Sequence, residues 1–127
     1  MARVGPVRKI GGGLAPWQGE LAAQLLLRDL SADPHVAELA RSCGLSRSHF
    51  AKAFKASMGL PPHRWLIHRR IQRAQELMER TDDRISVIAA SCGFADQSHL
   101  TRIFHAEIGT SPAAWRRERK AGASARH

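Results

Sequence analysis

The chain has 127 residues, with 20 lysines and arginines against 11 aspartates and glutamates and a formal net charge of +9. This length predicts one domain of ordinary size, and the basic excess favours a polyanionic partner. No stretch approaches the roughly 18 apolar residues of a spanning helix, and the first residues lack the apolar core of a secretory signal. These features exclude an integral membrane protein, and we expect a cytoplasmic, nucleoid-associated one.

The first thirty residues divide into a basic arm and a helix. Residues 1–13 show no helical periodicity and end in three glycines, which predicts a flexible basic arm. From Pro16 to about Leu30, apolar residues return at helical spacing and predict a first amphipathic helix. The residues of its apolar stripe are Trp17, Leu21, Leu25 and Leu26.

A helix-turn-helix pattern follows over about 34–57. Asp33 and Pro34 together predict an N-cap and a first helical residue, respectively. Gly44 then ends the short helix, and Ser46 is placed to cap the next one. A helix, a short turn with glycine and a second helix are the signature of the motif.

A long helix is predicted over about 62–80, beginning at Pro62. At about 1.5 Å per residue it would separate the segments on either side by roughly 25 to 30 Å. That separation is close to the roughly 34 Å of one DNA turn. We expect it to act as a linker helix, with the flanking segments meeting adjacent major-groove segments.

A second helix-turn-helix is predicted over about 84–108. Asp82 or Asp83 is expected to cap its first helix, and Gly93 to form the turn. A final helix opens at Pro112 and ends near Arg119, after which residues 120–127 are expected to form a flexible tail. No segment alternates with period 2, so we expect an all-α fold of about seven helices, with a bipartite domain over 14–119.

The two helix-turn-helix segments are copies of each other. Leu39–Leu45 recurs as Ile88–Phe94, and the match continues through both following helices. Gly44 and Gly93 are 49 positions apart, whereas Ser48 and Ser98 are 50 apart, so the second turn carries one extra residue. We interpret the pattern as duplication of one supersecondary unit. Cys43 and Cys92 occupy equivalent positions and are expected to be reduced, buried residues of the turns.

The second copy resembles the DNA-binding domain of the AraC/XylS family of bacterial transcription regulators. The residues that carry the resemblance run from Ile85 through Cys92-Gly93-Phe94-Ala95-Asp96-Gln97-Ser98-His99 to Gly109, Ser111, Pro112 and Arg116, with Trp115 where the family usually has tyrosine. The resemblance covers about 16–119. It implies two helix-turn-helix subdomains joined by a long linker helix, each placing its second helix in the major groove. Because an effector domain would not fit in this length, we expect a stand-alone DNA-binding domain without an evident small-molecule effector.

The second helix of each copy has an aromatic side and an opposite polar side. Phe50 and Phe54 lie together on a helical wheel, as do Leu100 and Phe104, and these sides are expected to be buried. The polar sides are the candidates for reading bases. The base-facing candidates are Arg47, Ser48, Ala51, Lys52, Gln97, Ser98, Thr101 and Arg102.

Arg102 is the strongest candidate for base recognition, because its planar fork can donate two hydrogen bonds to guanine. Lys52 occupies the matching position with less geometric precision. Gln97 suits adenine and the methyl group of Thr101 suits thymine, whereas Ala51 offers only an apolar contact. The second copy therefore has the richer reading chemistry.

Phosphate contacts are expected from helix N-termini and from nearby basic side chains. Asp96 is interpreted as a helix cap, because a carboxylate near phosphate is otherwise unfavourable. The phosphate candidates are Ser46, Lys55, Arg69, Arg70, His105, Arg116 and Arg117.

Functions other than DNA reading fit the sequence less well. No constellation of acids, bases and nucleophile indicates an enzyme, and each cysteine with its nearby histidine offers only two ligands where structural zinc needs four. We therefore expect neither metal nor cofactor. Trp17, Trp65 and Trp115 are expected in the core rather than on bases. The expected partners are double-stranded DNA, bound by a monomer, and RNA polymerase. The alternative is a DNA-coating or regulator- or polymerase-docking protein without base readout.

Overall fold

The computed structural model describes residues 12–30, 32 and 34–125, with the side chains of 123–125 left out. These ranges contain helices and no strand, which confirms the all-α prediction. The helices are α1 (Pro16–Leu27), α2 (Val36–Ser42), α3 (Arg47–Met58), α4 (Pro62–Arg80), α5 (Ile85–Ser91), α6 (Gln97–Ile108) and α7 (Pro112–Ala125). Residues 1–11 of the predicted arm and residues 126–127 of the predicted tail lie outside the described residues.

The chain divides into two compact units, with the boundary between Ile67 and His68 inside α4. Unit 1 contains α1, α2, α3 and the start of α4, and unit 2 contains the rest of α4 with α5, α6 and α7. Each unit has its own helix-turn-helix, α2–α3 in unit 1 and α5–α6 in unit 2. The duplication read from the sequence thus corresponds to two separate cores.

The core of unit 1 is centred on two phenylalanines of α3. Phe50 and Phe54 are fully buried, with ring centroids 5.7 Å apart. Trp65 of α4 meets Phe54 edge to face at 5.8 Å, so the start of α4 closes this core. Helix α1 adds Ala22 and Leu26.

The core of unit 2 repeats this arrangement. Leu100 and Phe104 of α6 are fully buried, and Trp115 of α7 meets Phe104 edge to face at 5.9 Å. The second half of α4 contributes Ile71 and Met78 to the same cluster. The expected core positions of Trp65 and Trp115 are therefore confirmed.

Trp17 departs from the prediction, because 57% of its surface is exposed. Helix α1 is apolar over most of its circumference, and only Ala22 and Leu26 on it are buried. The rest of the predicted stripe packs inward, since Leu26 is buried and Leu25 packs against the core of unit 1, so only the first residue of the stripe is placed wrongly.

Two helix starts also differ from the prediction. Helix α2 begins at Val36 with His35 as N-cap, two residues after the expected start at Pro34, and Asp33 lies outside the described residues. Helix α5 begins after Arg84, which offers no side-chain cap. Asp82 does not cap it, since its carboxylate accepts a hydrogen bond from Lys120 at 2.8 Å. Lys120 belongs to α7, which continues past the predicted end at Arg119.

Candidate nucleic-acid interface

The starts of α3 and α6 are capped by side chains, as the sequence predicted. The Oγ of Ser46 accepts a hydrogen bond from the backbone amide of His49 at 3.1 Å. The Oδ1 of Asp96 accepts from the amide of His99 at 2.8 Å. Because Asp96 sits at the positive end of the helix dipole, its charge is used structurally, and the residues that follow each cap remain exposed.

The turns before these helices depend on glycine. Gly44 and Gly93 have φ values of +73° and +93°, in the left-handed region that other residues avoid. Each sits one residue after a buried cysteine and redirects the chain from the short helix to the next one. The predicted glycine turns of both helix-turn-helix motifs are confirmed.

In unit 1, burial leaves one side of α3 to solvent. Phe50, Ala53 and Phe54 are buried. The predicted reading residues lie on the remaining surface: Arg47, Ser48 and Lys52 are exposed and Ala51 is half-buried. Lys55 is exposed one turn further along α3.

In unit 2, the four predicted reading residues of α6 come together at one place. They line an open depression at the start of the helix, in which Thr101 is half-buried and the others are exposed. The lining residues are Gln97, Ser98, Thr101 and Arg102. The depression therefore presents an amide, two hydroxyls and a guanidinium side by side.

The phosphate candidates separate into exposed and interior groups. Arg69 is half-buried, and only 5% of Arg70 is exposed, so Arg70 lies in the interior and not on a surface that meets phosphate. Arg116 is also committed within unit 2, to backbone carbonyls near the end of α4. The exposed candidates are Ser46, Lys55, His105 and Arg117.

Most carboxylates of unit 2 are paired away from the depression. Glu76 accepts from Arg73 at 2.9 Å, Glu79 lies 3.8 Å from Arg119, and Asp82 lies 2.8 Å from Lys120. Glu107, on the side of α6 towards α4, is 3.9 Å from His68. Within the described part of the chain, no carboxylate pairs with the cations on the exposed sides of α3 and α6.

The cysteines are buried, unpaired thiols at the end of α2 and of α5. Burial raises the pKa of both, that of Cys92 to about 11. A thiol with a raised pKa is a poor nucleophile and a poor metal ligand at neutral pH. The described residues contain no group of three or more side chains that could hold a metal ion.

Sequence reasoning missed Gln18, which ties α1 to the first helix-turn-helix. Its Oε1 accepts from the amide of Ala15 at 2.8 Å, and its Nε2 donates to the carbonyl of Cys43 at 2.9 Å. The Sγ of Cys43 lies 3.7 Å from the carbonyl of Gln18. Its position three residues after the N-cap Ala15, where glutamine is a common capping partner, was the available signal.

A family model described as a helix-turn-helix domain matches residues 39–118, more than half of the chain. The chain belongs to the AraC/XylS family. Its match begins in α2 and ends in α7, so it includes both motifs of this AraC/XylS DNA-binding domain.

Similar AraC/XylS proteins are named as transcription regulators. The chain is 27% identical to the regulator MtrA of Neisseria gonorrhoeae over 113 residues, which are 87% of this chain and 38% of that protein. It is 35% identical to the activator RhaR of Klebsiella pneumoniae over 115 residues, 86% of this chain and 40% of that protein. The chain thus spans well under half the length of these two relatives.

A solved structure gives the corresponding match in three dimensions. It is the DNA-binding domain of AdpA, a global transcriptional factor, in complex with a target DNA. The identity is 33% and the TM-score 0.73, with 82% of this chain and 93% of that one covered.

Among the described helices of this AraC/XylS chain, none is long and apolar enough to cross a bilayer.

Proposed function

We propose that the chain is a sequence-specific regulator of transcription that inserts α3 and α6 into adjacent major-groove segments of double-stranded DNA. The observation that carries the proposal is the depression at the start of α6, where four side chains able to contact base edges lie together. A helix of this kind fits the major groove, where every base pair presents a distinct pattern of donors and acceptors.

The two units supply different chemistry for this binding. Helix α6 offers Arg102 for guanine and Gln97 for adenine. Helix α3 offers the exposed Lys52 and Lys55, and the half-buried Ala51 beside them can make only an apolar contact. Lysine is a point charge that suits phosphate as well as bases, so unit 2 is proposed as the main reader and unit 1 as a contributor with a larger electrostatic share.

Net charge supports a nucleic-acid partner. The chain carries +9, and the carboxylates of unit 2 are largely neutralised by neighbouring cations. The related AdpA domain is in complex with a target DNA. We further propose that the chain binds its site as a monomer and contacts RNA polymerase.

One observation favours a second candidate, the coating of DNA without base readout. The exposed side of α3 is rich in cations, with Arg47, Lys52 and Lys55 around the apolar Ala51. Such a surface binds any duplex through phosphate. A protein that coats DNA through phosphate contacts alone would not need the polar depression on α6.

The decisive experiment selects bound sites from a random duplex pool and then compares affinity for a selected and a random duplex over a range of salt. Sequence-specific binding predicts a selected site at least about 1000-fold tighter than random DNA. Two short boxes about one helical turn apart would support insertion of both helices. Equal affinities with the same salt slope would refute base reading and favour coating.

A further inference from the structure

The turn before α6 contains one residue more than the turn before α3. Gly44 and the cap Ser46 are separated by Leu45, whereas Gly93 and the cap Asp96 are separated by Phe94 and the additional Ala95. The backbones at the caps differ accordingly, with φ −70° and ψ 159° at Ser46 but φ −164° and ψ −177° at Asp96. The chain therefore enters α6 along a different path.

His99 holds this longer turn in place. Its Nδ1 accepts a hydrogen bond from the amide of Ala95 at 3.1 Å. Its ring meets Phe94 edge to face, with centroids 5.4 Å apart and an interplanar angle of 75°. Since Asp96 accepts from the backbone amide of His99 at 2.8 Å, the two residues cap each other's segment reciprocally, as in a capping box.

The equivalent histidine of unit 1 has no such role. His49 is exposed, and only its backbone amide is engaged, by the Oγ of Ser46. Among the described residues, nothing hydrogen-bonds to its imidazole. The contact made by His99 thus accompanies the inserted residue and is absent where the insertion is absent.

We propose that His99 is a positioning residue for the reading end of α6, which holds Gln97 and Ser98 in the orientation that reads bases. The proposal rests on the proposed sequence-specific function. His99 acts through the turn and not by touching DNA: the bond to Ala95 and the contact with Phe94 fix the two residues that precede the cap.

Loss of the hydrogen bond between His99 and Ala95 should change specificity more than stability, because Ala95 is exposed. Ala95 is exposed, so water can replace the histidine as acceptor when the bond is lost. What is lost is order, because a turn without its acceptor samples more conformations. Gln97 and Ser98 begin the helix directly after that turn, and base reading depends on their exact placement.

The test uses three substitutions and two measurements. His99→Asn keeps an acceptor near the position of Nδ1, His99→Leu removes it at similar bulk, and His49→Leu is the matched control in unit 1. The affinity ratio of selected to random duplex is measured together with hydrogen exchange of the Ala95 amide. His99→Leu is expected to lower the ratio roughly three- to tenfold and to speed exchange at Ala95. His99→Asn is expected to retain most of the ratio and of the protection at Ala95, because it keeps the acceptor and loses only the ring contact with Phe94. His49→Leu is expected to leave both unchanged.

The outcomes distinguish failure of the positioning role of His99 from failure of the proposed sequence-specific function. If the unaltered protein has no preference for any duplex, the proposed function fails and positioning for readout fails with it. If the unaltered protein prefers a site and His99→Leu keeps the same ratio, only the positioning role is overturned. His99→Gln, which displaces the acceptor by one bond but stays polar, is expected to lower the ratio too, and it replaces His99→Leu should that variant not fold.

Discussion

The Nε of Arg116 donates to the backbone carbonyl of Met78 at 3.1 Å, so a side chain of α7 caps the end of α4. The other two nitrogens donate to the carbonyls of Thr81, at 2.5 Å, and Asp83, at 2.6 Å. The last carbonyls of a helix have no partner within it, and one guanidinium satisfies a carbonyl of α4 while it fixes the segment that leads to α5. Arg116 thereby connects α7 to the start of the second helix-turn-helix.

Replacing Arg116 should destabilise unit 2. Arg116→Gln is expected to lower the free energy of unfolding by about 2 to 3 kcal/mol, because hydrogen bonds from a charged donor are worth about 1.5 to 3 kcal/mol each and water will replace part of them. Arg117→Gln is the matched control, since Arg117 is exposed next to it and should change stability by less than about 0.5 kcal/mol. Urea unfolding of the unaltered protein and of both variants measures these differences. A midpoint for Arg116→Gln equal to that for Arg117→Gln would show that the hydrogen bonds of Arg116 contribute nothing to stability.

Base-facing and phosphate-facing residues should respond differently to substitution. Arg102→Ala is expected to relax the preference at one or two base pairs of the selected site, at a cost of about 1 to 3 kcal/mol in discrimination. Lys55→Ala is expected to weaken binding to all duplexes alike and to reduce the salt slope by about one. Binding to a panel of single-base variants of the selected site measures both effects. An unchanged preference profile for Arg102→Ala would mean that the reading side of α6 is assigned wrongly.

The helix caps offer a test of the duplicated fold itself. Ser46→Ala and Asp96→Ala each remove the acceptor for a backbone amide in the first turn of a helix, which should cost about 1 kcal/mol. Asp96→Asn keeps an acceptor and should retain most of the stability, although it loses the charge that favours the helix dipole. Thermal unfolding followed by circular dichroism measures the differences. A variant Asp96→Ala as stable as the unaltered protein would contradict the capping role.

The sequence predicted most of the fold because the duplicated pattern constrains each element twice. The turn glycines, the caps Ser46 and Asp96 and the start of α4 at Pro62 were all found where expected. Proline and glycine restrict the backbone locally, so their effect can be read without knowledge of the distant chain. The buried side of α3 followed from the spacing of Phe50 and Phe54, and that of α6 from the spacing of Leu100 and Phe104.

What the sequence did not reveal depends on partners far along the chain. Arg116 was expected at phosphate, but its guanidinium meets carbonyls more than thirty positions earlier. Asp82 or Asp83 was expected to cap α5, but Lys120 engages the carboxylate of Asp82, and the N-cap of α5 is Arg84. The sequence around a charged residue looks the same whether its side chain faces solvent or a backbone carbonyl. Only tertiary packing distinguishes the two, as it also does for Trp17 and Arg70.

Burial of Cys92 should make the stability of the protein depend on pH in the alkaline range. The folded thiol has its pKa raised to about 11 from an ordinary value of 9.0. Below pH 9 both states hold the proton, so the contribution is fully present; as the pH rises towards 11 the unfolded thiol ionises first, and about 2 to 3 kcal/mol is lost. Urea unfolding from pH 8 to 11 measures the decline, with Cys92→Ala as the control that retains every other titrating group. Parallel pH curves for the two proteins would contradict the assignment, because the difference between them isolates this one thiol.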